Sequence, residues 1–227
     1  MFRYETHLHT APVSKCAKAD VESSLEFYKS LSYKGVFITD HFLNGNINIS
    51  RDEPMEKRLD FYFSSYEEAK KLSLAVGIDV FSGIELTYKG TDFLVYGLDK
   101  SWFMARPDWE TLKMSELLKL IMDSDALVIQ AHPFRTASYI DHIRLFPQQI
   151  HGVETVNANR ETLTNEMAAI FAEKYSLLEI AGSDNHQGPL QKRLAGMEFE
   201  TPLKDERDFI QRIKNKEGNI FHFKIGG

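Results

Sequence analysis

Two histidines near the amino terminus have a spacing that could bring them to one metal ion. His7 and His9 lie two residues apart in a segment typical of a β-strand, so both project to the same side of that strand. More imidazoles and carboxylates follow short apolar runs downstream: His41, Glu85, His132, Asp184 and His186. Neutral imidazoles with carboxylates and no thiolate suit Zn²⁺, Mn²⁺ or Fe ions. The pattern therefore predicts one metal site assembled from distant segments.

Alternating strands and helices would have to position these side chains. Apolar patterning predicts strands at residues 2–6, 35–39, 79–86, 92–98, 126–130, 152–156, 177–181, 197–200 and 220–224. It predicts helices at residues 20–33, 59–76, 110–122, 162–175 and 205–216. Strands separated by helices indicate a parallel sheet, and about seven such units indicate closure into a TIM-like α/β barrel. No glycine-rich phosphate motif of an open sheet follows the first strand, and residues 1–227 are expected to form one domain.

A barrel explains how ligands distant in sequence could meet. The carboxyl ends of barrel strands share one rim, where active sites form, and each candidate ligand lies at such an end. Seven candidate ligands exceed the needs of one tetrahedral ion, and Glu85 could bridge two ions. A group of two or three divalent ions would activate water and clamp the attacking and leaving oxygens of a phosphate ester. Asp40, beside His41, is expected to orient a ligand or accept a proton in catalysis, as His41 is also expected to do.

Three further polar residues are candidate substrate contacts at the same rim. Arg135 follows His132 by three residues, and Arg160 lies just after Asn157 at the end of another predicted strand. A guanidinium can bind phosphate through two parallel hydrogen bonds. We therefore predict that these side chains contact a phosphorylated substrate.

The connection over residues 42–56 is long for a compact domain and is a candidate cover for the site. Long loops of this kind are often functional lids. Its side chains Asn44 and Asn46 would contact the leaving group if the loop closes.

Composition narrows the class of protein. A net charge of −6 argues against binding extended nucleic acid, though not against a small phosphorylated substrate. The single cysteine excludes both a disulfide framework and a cysteine-based zinc cluster, which favours a reducing, cytoplasmic setting. The amino terminus lacks a signal-peptide pattern and no apolar run reaches membrane-spanning length, so no membrane association is expected. The sequence does not specify an oligomeric state.

The ligand-bearing segments together resemble the four motifs of the PHP superfamily, named for polymerase and histidinol phosphatase. The matching residues are His7-x-His9, Thr39-Asp40-His41, His132-Pro133 and Asp184-x-His186, with Glu85 as the bridging carboxylate. The match spans residues 4–186, about four-fifths of the chain. The resemblance implies a distorted seven-stranded (β/α) barrel and metal-dependent hydrolysis of phosphoric esters.

The resemblance also implies a division of the ligands among metal ions. His7, His9, Glu85 and Asp184 would hold the first ion, and Glu85 with His132 the second. His41 and His186 would belong to a third site or share the second. Members with three ions usually carry another His or Asp shortly after the first motif, where this chain has Ser14-Lys15-Cys16. Either Asp20 or Cys16 substitutes for it, or the third site is weak or empty, which is the interpretation we favour.

Several functions fit this pattern. The leading hypothesis is hydrolysis of a phosphomonoester or phosphodiester in a small metabolite or nucleotide. Narrower versions are a histidinol-phosphate phosphatase and a phosphotyrosine phosphatase. Alternatives of other classes are a 3′–5′ exonuclease and a regulatory module whose metal site is not catalytic.

Overall fold

The computed structural model describes residues 1–226, which form nine strands and six α-helices. The strands are β1 (Phe2–Leu8), β2 (Gly35–Ile38), β3 (Asp79–Tyr88), β4 (Thr91–Tyr96), β5 (Leu127–Ala131), β6 (Gly152–Asn157), β7 (Leu178–Gly182), β8 (Arg193–Phe199) and β9 (Asn219–Lys224). The helices are α1 (Val21–Ser30), α2 (Met55–Val76), α3 (Lys100–Met104), α4 (Met114–Met122), α5 (Thr162–Tyr175) and α6 (Glu206–Lys214).

All nine strands form one sheet that curls into a nearly closed barrel, in the order β7-β6-β5-β4-β3-β2-β1-β8-β9. The predicted α/β barrel is confirmed. After β7, the Asn185 carbonyl accepts a hydrogen bond from the His9 N–H (3.1 Å), and the Asn185 N–H donates one to the His7 carbonyl (3.2 Å). These two bonds join the end of β7 to β1. This junction lies at the carboxyl ends of both strands, so it also brings the first and last predicted ligand segments together.

The expectation of a parallel sheet is wrong for part of it. β4 runs antiparallel between β3 and β5, β8 pairs antiparallel with β1, and β9 pairs antiparallel with β8. Lys89 and Gly90 alone separate β3 from β4, and both have positive φ (51° and 80°). Two such residues form a hairpin turn, whereas a parallel connection needs a crossover of a dozen or more residues.

Aromatic side chains fill the end of the barrel opposite the predicted ligands. Phe209 of α6 packs against Phe37 and Tyr96, with ring centroids 4.5 and 5.0 Å apart. The Tyr4 hydroxyl accepts a hydrogen bond from the backbone N–H of Leu203 just before this helix (2.8 Å). Helix α6 therefore closes this end with buried rings, opposite the rim that carries the polar residues.

Local backbone signals set element boundaries that apolar patterning missed. The helix predicted over 110–122 is a short 3₁₀ turn (Trp109–Thr111) followed by α4, because Leu112 is extended (ψ 147°) and Glu116 caps the Lys113 N–H at 2.9 Å. Helix α3 was not predicted, although Asp99 caps it in the usual way by accepting a hydrogen bond from the Trp102 N–H (2.9 Å).

The long connection after β2 is tied down at several points. Its apolar residues Phe42, Leu43 and Ile47 are buried in the core. Asn44 exchanges hydrogen bonds with the backbone of Thr87 in β3 (2.9 and 3.2 Å), so its amide is engaged away from a leaving group. The described loop therefore serves as a wall packed on β3.

Residues 1–226 include no helix both long and apolar enough to cross a membrane.

His151, at the start of β6, should make stability depend on pH. Its Nδ1 accepts a hydrogen bond from the Val128 N–H (3.0 Å), and burial, with Lys214 nearby, lowers the pKa of His151 from 6.5 to about 4. The unfolded chain therefore binds a proton between pH 6.5 and 4 that the folded chain refuses, so stability present above pH 6.5 is lost as the pH falls. Because the side chain is only half-buried, we expect a loss on the order of 1–2 kcal/mol.

Urea unfolding of metal-free protein at pH 7.5 and 4.5 measures this effect. His151→Asn retains an acceptor without a titrating ring and should flatten the difference, whereas His142→Asn, at an exposed imidazole, should not. An equal pH dependence in wild type and His151→Asn would contradict the prediction.

Candidate metal centre

The barrel brings all seven predicted ligands to one rim. His7 is the second-to-last residue of β1 and His9 directly follows that strand. The other candidate ligands follow or occupy further strands: His41 after β2, Glu85 in β3, His132 after β5, and Asp184 and His186 after β7. His7, His9, Glu85 and Asp184 are at most 2% exposed. The ligand atoms form three groups of three that could each hold a metal ion.

The first group combines the two amino-terminal histidines with a carboxylate. The Nε2 atoms of His7 and His9 are 3.1 Å apart, and each lies about equally far from Asp184 Oδ1 (3.6 and 3.5 Å). Two electron-pair donors converge here with an anionic oxygen, which is the arrangement expected around one shared cation.

The second group is built on Glu85. Its Oε1 lies 3.1 Å from His7 Nε2 and 3.6 Å from His132 Nε2. Asp92 of β4, which the sequence analysis missed, places Oδ2 3.9 Å from His132 Nε2. A lone aspartate in an otherwise apolar strand, directly across a tight hairpin from the strand bearing Glu85, was the signal that could have revealed it.

The third group consists of stacked imidazoles. The ring of His9 lies 3.9 Å from that of His186 and 4.4 Å from that of His41, centroid to centroid. Of the two residues proposed to complete this site, Asp20 caps α1 by accepting from the Ser23 N–H and is exposed. The Cys16 Sγ, in contrast, lies 3.1 Å from His41 Nε2.

Burial and neighbouring charges shift the pKa values of several candidate ligands. Burial disfavours the charged forms, but nearby His41 and His9 hold the pKa of Glu85 well below its usual range, and His7 and His186 do the same for the pKa of Asp184. Burial, together with His186 and His41, holds the pKa of His9 well below 6.5. Both carboxylates and this imidazole are therefore in their metal-binding forms at neutral pH.

The donor set fits divalent metal ions. His41 Nδ1 and Glu85 Oε2 face each other at 2.5 Å, yet neither buried atom makes a hydrogen bond within residues 1–226. Two electron-pair donors so close together require a proton or a cation to hold them there. A cation would neutralise this buried pair, and the surrounding imidazoles and carboxylates offer it further ligands.

Glu154 of β6, also missed by the sequence analysis, orients the ligands. Its Oε1 lies 2.9 Å from His7 Nδ1, which leaves His7 Nε2 directed at the group, and its Oε2 accepts from the His132 N–H (3.1 Å). Carboxylates commonly orient metal-binding histidines in this way. Asn157, predicted to contact substrate, is instead buried and donates to Glu154 Oε2 (2.9 Å) and Asp184 Oδ2 (3.4 Å).

Asp40 lies outside the ligand groups. Its carboxylate accepts four hydrogen bonds of 2.6–2.7 Å, from the Thr10 N–H and from the hydroxyls of Thr10, Ser14 and Ser65. The Ser14 hydroxyl is in turn 3.2 Å from His9 Nδ1. Since Asp40 is fully buried, it can position His9 through Ser14 but does not reach the cavity.

A cavity of about 600 Å³ opens above the metal centre. Both predicted arginines line it: Arg160 Nη2 lies 2.8 Å from Asp184 Oδ2, and Arg135 Nη1 lies 3.0 Å from Asp92 Oδ2. Lys89 and Tyr139, which were not predicted, also line the wall, with the Arg135 guanidinium 5.5 Å from the centre of the Tyr139 ring. The cavity thus combines an acidic and imidazole floor with cationic walls.

The fold is shared with solved proteins of low sequence identity. A two-domain protein from Bacteroides vulgatus, containing a predicted PHP-like metal-dependent phosphoesterase, matches with a TM-score of 0.69 at 13% identity. The chain has the PHP fold. The match covers 97% of this chain and 64% of that protein, so the chain spans less than two thirds of its relative.

Two other solved structures match over most of their own length. PsfC from Pseudomonas syringae PB-5123 matches with a TM-score of 0.60 at 14% identity, covering 100% of this chain and 93% of its own. An amidohydrolase from Chromobacterium violaceum, solved with bound sulfate and no metal, matches with a TM-score of 0.54 at 11% identity. This match covers 83% of this chain and 89% of the amidohydrolase. No protein-family model and no curated protein sequence match the chain. The predicted resemblance is confirmed at the level of the fold.

Proposed function

We propose that the protein is a metal-dependent hydrolase that cleaves a phosphoric ester in a small phosphorylated metabolite or nucleotide. The observation that carries this proposal is the convergence of seven ligand side chains on the floor of a cavity whose wall holds two arginines. Imidazole and carboxylate ligands suit Zn²⁺, Mn²⁺ and Fe ions, and guanidinium groups suit phosphate oxygens.

Two or three divalent ions would be held by His7, His9, His41, Glu85, His132, Asp184 and His186. Bound there, they would supply a water nucleophile active at neutral pH and neutralise charge that develops on phosphoryl oxygens. The chain's own contribution begins with orientation, because Glu154 fixes the His7 ring and Asn157 holds Glu154.

The arginines are placed to bind the substrate's phosphoryl group. Arg160 uses Nη2 for Asp184, which holds its guanidinium at the cavity wall. Arg135 likewise uses Nη1 for Asp92, which fixes its plane at the wall. His41, 14% exposed at the cavity floor, is proposed here as a metal ligand and so is not free to accept a proton, whereas Asp40 acts only by positioning.

Chromogenic esters test the proposal. Metal-free protein reloaded with Mn²⁺, Zn²⁺ or Fe²⁺ should hydrolyse p-nitrophenyl phosphate, bis(p-nitrophenyl) phosphate or both, and EDTA should stop the reaction. His7→Ala should abolish hydrolysis, and His142→Ala, at an exposed ring outside the three ligand groups, should not. Absence of hydrolysis with every metal, or full activity in His7→Ala, would overturn the proposal.

The same preparation discriminates the narrower and competing functions. Histidinol phosphate and a phosphotyrosine peptide represent the two specific phosphatases, and a single-stranded oligonucleotide represents the exonuclease. The net charge of −6 disfavours the oligonucleotide, because affinity for nucleic acid rests largely on cations that neutralise phosphates. Preferential cleavage of N-acyl amides would redirect the assignment toward amide hydrolysis, and tight metal binding without any hydrolysis would indicate a regulatory module.

A further inference from the structure

The only cysteine of the chain lies against the third ligand group. Cys16 Sγ is 3.1 Å from His41 Nε2, and Cys16, His41 and His186 all line the cavity. The backbone on either side of Cys16 is held in place: the Lys15 N–H donates to Asn46 O (3.0 Å), and the Lys18 N–H donates to His186 O (2.8 Å). These backbone hydrogen bonds hold the loop so that the thiol lies on the side of the imidazoles.

The donors around this corner differ from those of the rest of the centre. Glu85, Asp92 and Asp184 place hard carboxylate oxygens around His7 and His132. Around His41 and His186, Glu85 Oε2 and Asp184 Oδ1 lie against the Nδ1 atoms (2.5 and 3.2 Å), and the Cys16 sulfur adds a different donor on the Nε2 side of His41. Thiolates favour soft ions such as Zn²⁺, whereas carboxylates suit Mn²⁺ and Mg²⁺.

A second observation points to a ligand at this corner independently of the cysteine. His9, His41 and His186 offer nitrogen atoms that lie within 4.8 Å of one another. Three imidazole nitrogens held this close are the environment of a cation.

We infer that Cys16 is a metal ligand together with His41 and His186, and that this sulfur-containing site binds Zn²⁺ in preference to Mn²⁺ while the carboxylate-rich groups accept either ion. The third site is then occupied, contrary to the expectation from sequence. The inference rests on the metal binding in the proposed function but not on hydrolysis. The sites of the centre would then differ in metal preference, and the site with Cys16 would be recognised by the metal that it retains.

Cobalt spectroscopy tests the ligand directly. Titrating metal-free protein with Co²⁺ should produce a sulfur-to-cobalt charge-transfer band in the near ultraviolet alongside the visible ligand-field bands. Cys16→Ser should lose the charge-transfer band and keep the ligand-field bands. Visible bands without the charge-transfer band in wild type, or no cobalt uptake at all, would overturn the inference. Cobalt–sulfur absorption in a protein that hydrolyses no ester would leave the inference standing and overturn only the proposed function.

Metal retention tests the selectivity. After loading with equal Zn²⁺ and Mn²⁺ and exhaustive dialysis, wild type should retain zinc that Cys16→Ser releases, with the zinc dissociation constant of that site raised at least about tenfold. Cys16→Asp, which restores a hard oxygen donor, should take up Mn²⁺ in place of the lost zinc. Circular dichroism of both proteins controls for folding. In wild type, zinc but not magnesium should slow the labelling of the thiol by iodoacetamide. Equal zinc retention in wild type and Cys16→Ser would contradict the assignment.

Discussion

Replacing Glu85 by glutamine is expected to lower kcat/KM for ester hydrolysis at least about a thousandfold, or about 4 kcal/mol of transition-state stabilisation. Glu85 reaches four imidazoles: Oε1 lies 3.1 Å from His7 and 3.6 Å from His132, and Oε2 lies 3.5 Å from His9 and 2.5 Å from His41. A neutral amide would place an N–H group where one of these metal-directed oxygens stands. The loss should therefore extend over more than one metal site.

Metal analysis and kinetics on the same samples separate the two consequences. After reconstitution, Glu85→Gln should retain fewer ions per chain than wild type and show the thousandfold deficit at saturating metal. Glu198→Gln, at a partly exposed glutamate paired with Arg3, is the matched control for the substitution. Activity of Glu85→Gln within tenfold of wild type would show that Glu85 is not the shared ligand.

Adding a single methyl group at Gly182 is expected to damage both stability and metal binding. An ideal Cβ on this residue, at the end of β7, would lie 2.5 Å from His7 Cβ and 2.8 Å from Glu154 Oε1. His7 Cβ cannot swing away without moving β1, so the His7–Glu154 contact must open. We expect the free energy of unfolding to fall by about 1–3 kcal/mol and metal affinity to fall about 10–100-fold.

Thermal or urea unfolding of metal-free Gly182→Ala measures the first effect, and competition with a chromogenic chelator measures the second. Gly226→Ala adds the same methyl where no atom lies within 4 Å, at the cost only of a positive φ of 73°. Wild-type metal affinity in Gly182→Ala would show that the position of His7 does not depend on this close packing.

The ligand set was predictable because its signal is local. His7 and His9 share one side of a strand through the two-residue repeat of β-structure, and strand ends in a barrel share a rim. Arg135 and Arg160 were located on the same grounds, and both line the cavity. The barrel itself followed from the alternation of apolar runs with helices.

The residues that were missed act across strands rather than along them. Glu154 touches His7 across 147 residues of sequence, and nothing local distinguishes it from a surface glutamate. Asp92 reaches His132 only because β4 turns back at a two-residue hairpin. Asn157 and Asp40 lie in the predicted region but turn toward other protein groups, a choice made by hydrogen bonds to Glu154 and Ser14.

The sequence by itself predicted the candidate metal-binding side chains and the end of the barrel at which they stand, since strand periodicity and strand order suffice for both. Only the tertiary structure decided how those side chains are paired: that Glu85 reaches four imidazoles, that Glu154 orients His7, and that Cys16 rather than Asp20 stands at the third group. The physical reason is that register between strands and the path of loops depend on packing between distant segments. The two-residue repeat of a strand specifies the side on which a side chain lies, but it does not specify which side chains of other segments lie next to it.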